Sequence, residues 1–99
     1  MYNLNTFIEN CKAFLKSQIV KVPNSATKSQ QKFEFEQELK KRKEELEKEL
    51  QGQANNWGNL AYENGHSEIL KLRSNMKNEI RTLLREWKVE QMEKSGLDD

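Results

Sequence analysis

The chain has 99 residues, of which 34% are hydrophobic and 33% charged, and its 17 Lys and Arg against 16 Asp and Glu leave a net charge of +1. A domain of this size removes only about 60–65% of its unfolded surface from water, so any core must come from apolar residues concentrated into stripes. The charge balance excludes a strong whole-molecule field toward nucleic acid, the single cysteine excludes an internal disulfide, and no apolar run approaches the ~20 residues of a membrane-spanning helix.

The acids are nearly all Glu, and the only two Asp are Asp98 and Asp99 at the end of the chain. Glu is compatible with helix interiors and Asp is not, so the choice of acid itself points to an all-α protein, as do a single Pro and four Gly. The opening MYNLNTFIENCK lacks the basic start and continuous apolar stretch of a signal peptide, and a reducing, cytoplasmic setting is expected.

In chain order, Thr6 and Glu9 have capping-box spacing and predict a first helix from about Phe7 to Lys21. Phe7, Cys11, Phe14, Leu15 and Val22, with Ile8 and Ile19 beside them, form its apolar face. Pro23 has no amide hydrogen and disfavours helix at Val22, so residues 1–22 form the N-terminal unit and 23–28 a polar linker. Thr27 or Ser29 can cap the next helix.

A second helix is predicted from about Ser29. Its apolar residues repeat every eleven positions, with Phe35, Leu46 and Trp57 in one row and Leu39, Leu50 and Ala61 in the other. Eleven residues complete almost three turns, so the stripe runs nearly straight along the helix. Arg42 and Lys43 interrupt it between Leu39 and Leu46. Gly52, Gly58 and three Asn weaken helix over residues 51–59, yet the repeat continues through them; a bent continuous helix or a break near Asn55 to Gly58 are the two outcomes. A turn is expected near 64–67, where Asn64-Gly65 tolerates the left-handed conformation. The third helix should run from about Glu68 to Lys94, with Ile69, Leu72, Met76, Ile80, Leu83, Leu84 and Trp87 on its apolar face and a disordered tail over 95–99.

The run Leu60–Leu72, LAYENGHSEILKL, resembles the centre of a single ankyrin repeat through Leu60, Ala61, Glu63, Asn64, Gly65, His66, Glu68, Ile69, Lys71 and Leu72. The likeness implies a tight helix-turn-helix there. No second copy exists, and stacked repeats need about three, so an ankyrin array is excluded. In length the chain is also similar to the small secreted helical-hairpin proteins of the type VII system. Their Trp-x-Gly turn is replaced by adjacent Trp57 and Gly58, and their Tyr-x-x-x-acid tail is missing.

Catalysis needs converging titratable groups, and the inventory is one His and one Cys. His66 falls in the expected turn, and Cys11 on an apolar face behaves as a small hydrophobe. Zinc and calcium sites need clusters of Cys, His or Asp, and phosphate loops need glycines. The expectation is therefore no enzyme activity, no cofactor, no metal and no small-molecule substrate.

On the third helix, Arg73, Lys77, Arg81, Arg85 and Lys88 line one side of the apolar stripe, and Glu68, Glu79, Glu86 and Glu90 the other. Segregation forgoes many i,i+4 ion pairs, so the charge is available to something outside the helix. Either the flanks guide helix pairing with a protein partner, or the basic ridge, with Lys40, Lys41, Arg42 and Lys43, contacts a nucleic-acid backbone. The Lys40 to Lys43 run also resembles a short nuclear-import signal, although a charged helix face explains it more simply.

The sequence thus predicts a short N-terminal helix on a long, coiled-coil-like helical hairpin that binds a protein and self-associates. Phe35, Leu39, Leu46, Leu50, Trp57, Met76, Ile80, Leu83 and Trp87 are the interface candidates. Because these stripes exceed what one short helix covers, light scattering at micromolar concentration should give a mass above 11.7 kDa; a monomer overturns that expectation.

Overall fold

A computed structural model describes residues 4–63 and 69–97, with side chains for residues 4–59 and 73–97. Three helices occupy them: α1 (Leu4–Lys16), α2 (Lys28–Glu63) and α3 (Ile69–Ser95). The fold is all-α, as the sequence predicts, and no strand occurs among the described residues. The expected turn near 64–67, His66 and the centre of the ankyrin-like stretch lie outside the described residues.

Helix α1 starts earlier and stops sooner than expected. Thr6 lies inside it, so the Thr6–Glu9 capping box does not form; Glu9 instead sits 3.5 Å from Lys12 Nζ. The helix ends at Lys16 and not near Pro23. Ser17 N and Gln18 N donate back to Phe14 O and Leu15 O at 3.1 and 3.0 Å, tightening the last turn. Beyond it, α3 claims the backbone groups that further helix would need. Trp87 Nε1 donates to Gln18 O at 2.9 Å, and Val20 N donates to Gln91 Oε1 at 3.0 Å. Phe7, Cys11 and Leu15, spaced by four, are buried. Ile19 and Val22, expected to prolong this face, are 70% and 41% exposed.

Thr27 caps α2, its Oγ1 accepting from Gln30 N at 3.1 Å. The helix then continues unbroken through Gly52 and Gly58 to Glu63. Thirty-six residues at ~1.5 Å each account for the 57 Å long axis of an otherwise 18 × 18 Å rod. The eleven-residue repeat explains the continuity: Phe35, Leu39, Leu46 and Leu50 are at most 2% exposed, Ala54 is buried and Trp57 packs against the same core. Burial of this straight row outweighs the ~1 kcal/mol of helix propensity lost at each glycine.

The buried row of α2 faces Met76, Ile80, Leu84 and Trp87 of antiparallel α3, and α1 adds Phe7, Cys11 and Leu15 to the same cluster. This corrects the assignment of Phe35, Leu39, Leu46, Leu50, Met76, Ile80, Leu83 and Trp87 to a surface for partners. All eight are 7% exposed or less, because the hairpin folds one stripe onto the other within a single chain. Trp57 is half-buried against them. The stripes whose exposure motivated the expected self-association are therefore covered within the chain itself.

At the other end, Gly96 has φ +70°, and its N–H donates to Glu93 O at 3.3 Å. This left-handed residue turns the chain so that Leu97 packs at 6% exposure, although the sequence placed Leu97 in a disordered tail. The two glycines should respond oppositely to alanine. A methyl at Gly52 meets nothing within 4 Å, so Gly52→Ala should raise the unfolding free energy by about 0.5–1 kcal/mol, whereas Gly96→Ala should lower it by about 1 kcal/mol. Urea titration followed by circular dichroism measures both.

Candidate protein-binding surface

With the apolar stripes internal, the charged flanks of the hairpin are what the molecule presents. The basic ridge divides into two parts. Arg73 and Arg81 reach across to α2: Arg73 Nη2 donates to Asn59 Oδ1 at 2.9 Å, and Arg81 Nε lies 3.8 Å from Glu47 Oε1. The Arg73 guanidinium lies against Gly58, where an added Cβ would fall 2.9 Å from Nε; that Nε is buried and has no hydrogen-bond partner. Lys77 is half-buried between these two crossings.

Arg85 and Lys88 are exposed, and what faces them is set by register. In an antiparallel pair, moving along α3 from Arg81 by four and seven residues corresponds to moving back along α2 from Glu47 by the same steps. Counted from Arg81–Glu47, those steps place Arg85 level with Lys43 and Lys88 level with Lys40; counted from Arg73–Asn59, Arg85 falls level with Glu47 and Lys88 level with Glu44, so each α3 cation lies between a lysine and a glutamate of α2. Because i, i+3 and i+7 share a helix side, Lys40, Lys43 and Glu47 line one wall of a valley whose other wall carries Arg81 and Lys88, while exposed Arg85 shares the outer surface of α3 with Glu86, Val89, Glu90 and Glu93. Lys43 is half-buried there. Among the described residues, no ion pair engages Lys40, Lys43, Arg85 or Lys88.

The valley is short. Glu44 and Glu47 close it at one end and Glu36, one turn before Lys40, at the other, a span of eleven residues or about 16 Å of α2. The unneutralised stretch has room for one or two anionic groups. A nucleic-acid backbone laid along the hairpin would meet the flanking glutamates.

The opposite flank is covered. The segment 17–27 lies against both long helices: besides its bonds to Trp87 and Gln91, the Gln18 side chain accepts from Arg42 of α2, Gln31 Nε2 donates to Pro23 O at 3.1 Å, and Ser25 Oγ donates to Glu34 at 2.5 Å. Arg42 also pairs with Glu45 at 3.1 Å. Helix α1 packs on α3 beyond this segment, leaving a cavity of about 140 Å³ lined by Lys12, Leu15, Lys16, Leu83, Glu86, Trp87, Glu90, Gln91 and Lys94. Lys12 and Lys16 of α1 share this lining with Glu86 and Glu90, but the ion pairs stay within each helix: Lys12 with Glu9 at 3.5 Å and Lys94 with Glu90 at 3.0 Å. None of Lys12, Lys16, Gln18 or Gln91 was singled out as functional from the sequence. The available signal was Gln91, one turn beyond Trp87 on an apolar face, where a buried amide needs a partner.

No cluster of three or more metal-ligating side chains occurs among the described residues, and none of their helices is long and apolar enough to cross a membrane. Compared with models of known protein families, with curated proteins and with solved structures, the chain matches none.

Cys11 is 1% exposed, and burial pushes its thiol from 9.0 up to about 11. The folded state therefore favours the neutral thiol. The associated stability is fully present below pH 9 and is lost as pH rises toward 11. At 1.36 kcal/mol per pKa unit, the unfolding free energy should fall between pH 8 and 10.5 by about 1–2 kcal/mol more in the wild type than in Cys11→Ala. Parallel urea titrations at the two pH values check this; equal losses would refute it.

Proposed function

We propose that the chain is a small, non-enzymatic cytoplasmic module that binds another protein through its helix faces, as an adaptor, assembly factor or inhibitor, without a cofactor. The observation that carries this is the basic surface of Lys40, Lys43, Arg85 and Lys88 on the two long helices, none of which is engaged by an ion pair among the described residues. A partner carboxylate brought to these unpaired cations gains charge-assisted hydrogen bonds. Arg85 contributes a planar fork suited to a carboxylate, whereas the lysines adapt to position. The glutamates that bound the valley favour a short acidic segment of a protein over an extended phosphate backbone. A second copy of the chain is a candidate partner on the same terms.

The exposed row Arg81, Arg85 and Lys88 also supports a competing assignment, an accessory protein that binds nucleic acid. Charge reversal separates the two. Arg85→Glu with Lys88→Glu lies on the surface and should leave folding within about 0.5 kcal/mol of the wild type. In affinity capture from the native cell, the partner held by the wild type should be retained roughly tenfold less by the double variant, and less by the wild type as salt rises. Equal retention by both proteins refutes the valley as the contact surface. A gel shift of duplex or single-stranded nucleic acid at low salt, abolished by the same variant, transfers the assignment to nucleic acid.

A further inference from the structure

Between α1 and α2 the chain adopts a conformation that a helical bundle does not require. Residues 18–25 run without a turn, a bend or a left-handed residue, so the backbone there is extended. The sequence accounts for this: Ile19, Val20 and Val22 are β-branched, and Pro23 holds the residue before it in the extended region. Such a segment has two faces and two edges. One face meets the hairpin, where the Gln18 side chain accepts from Arg42 of α2 and Val20 packs on the core. One edge meets α3, where Gln18 O accepts from Trp87 Nε1 at 2.9 Å and Val20 N donates to Gln91 Oε1 at 3.0 Å. The other face carries Ile19, 70% exposed, and exposed Lys21. The other edge carries the N–H and C=O of those same two residues, because backbone groups alternate in direction along a strand. Among the described residues, none of these four groups is hydrogen-bonded.

We infer that residues 19–21 are a strand-addition site, taken by the edge strand of a partner's β-sheet. Two donors and two acceptors on alternate residues, about 7 Å apart, match the hydrogen-bonded pairs of an antiparallel strand. Two-stranded pairs are marginal in water, so a lone peptide holds poorly and the occupant has to bring a sheet of its own. Its side chains are set by what stands opposite: an aliphatic residue for Ile19 and an acidic one for Lys21, two positions apart. The edge is short. Helix α1 bounds it on one side and Pro23, which has no N–H, on the other, so it offers one specific pairing and not a long template for aggregation. The site lies on the flank away from the basic surface and does not depend on it.

The probe is a disulfide-closed β-hairpin peptide whose free edge alternates Val and Glu, added to the full chain. It should bind saturably and slow amide exchange at Ile19 and Lys21 by roughly tenfold or more, while Val20, already bonded to Gln91, changes little. The linear peptide of the same edge sequence should bind roughly tenfold more weakly. Lys21→Pro deletes a donor that bonds nothing within the chain, so helicity should be retained and hairpin binding should fall by roughly tenfold or more. Lys21→Ala keeps the N–H and should bind within about threefold of the wild type. Should the proline variant lose helicity, a hairpin N-methylated at its edge amides, which should not bind, tests the same bonds. Unprotected Ile19 and Lys21 at saturating hairpin, equal binding by the N-methylated and unmodified hairpins, or no binding at millimolar hairpin each overturns the strand-addition site. A linear peptide that binds as tightly as the hairpin, or protection of both amides that grows with the concentration of the chain alone, overturns the sheet-borne occupant. Hairpin binding should be unchanged in Arg85→Glu with Lys88→Glu, so this site and the basic surface stand or fall separately.

Discussion

The geometry of the molecule depends on one buried contact, the indole N–H of Trp87 donating to the carbonyl of Gln18. Trp87 is 4% exposed, and its polar edge needs an acceptor. By taking a backbone carbonyl just past α1, it halts that helix and lays the next residues against the hairpin. The Gln18 side chain then accepts from Arg42, so one residue ties both long helices to the N-terminal unit. Gln91, one turn further along α3, repeats the device on Val20 N. Deleting either partner would leave a buried polar group unsatisfied, at a cost of about 1–3 kcal/mol. The crossing is therefore specified by hydrogen bonding as well as by apolar burial.

This arrangement accounts for the charge segregation of α3. Two antiparallel helices whose acidic rows share a side would set like charges together. The chain interposes segment 17–27 and α1 on that side, where Ser25 donates to Glu34 and Lys12 and Lys16 line a pocket with Glu86 and Glu90. Among the described residues, the basic side receives Glu47 and the Asn59 amide from α2, and no ion pair engages Lys40, Lys43, Arg85 or Lys88. Exposed ion pairs contribute about 0–1 kcal/mol each, so the asymmetry matters for recognition more than for stability.

The sequence made the helical hairpin legible because α2 and α3 carry periodic apolar stripes, and the eleven-residue repeat carried the correct continuity across Gly52 and Gly58. It also identified nearly every core position. It misjudged what that core does, since a stripe reads the same whether it faces a partner or the chain's own second helix. Leu97 escaped because its burial depends on the left-handed Gly96 that precedes it. The end of α1 was misplaced for a different reason. Val20 N and Gln18 O are held by side chains roughly seventy residues away, and a local pattern around Pro23 contains no trace of that competition. The basic surface was half legible: the row on α3 stands out, but which α2 side chains lie beside it depends on the pairing that the Arg81–Glu47 and Arg73–Asn59 contacts hold.

The small residues Ala54 and Gly58 have a mechanical consequence. Leucines at 46 and 50 hold α2 and α3 apart by a full side chain, whereas at 54 and 58 the separator is a methyl group or nothing, and the Arg73 guanidinium fills the place of a missing Cβ. At the other end, segment 17–27 is tied to both long helices through Trp87, Gln91, Arg42 and Gln31. Two helices spaced by graded side chains form a taper, because interaxial distance follows the residues at the contact. A taper cannot slide: a shift by one turn would bring leucines onto the arginine plate and open a gap beside Trp87. The long hairpin is thus locked lengthwise like a dovetail joint, and a load along its axis is borne by shape before any hydrogen bond is stretched.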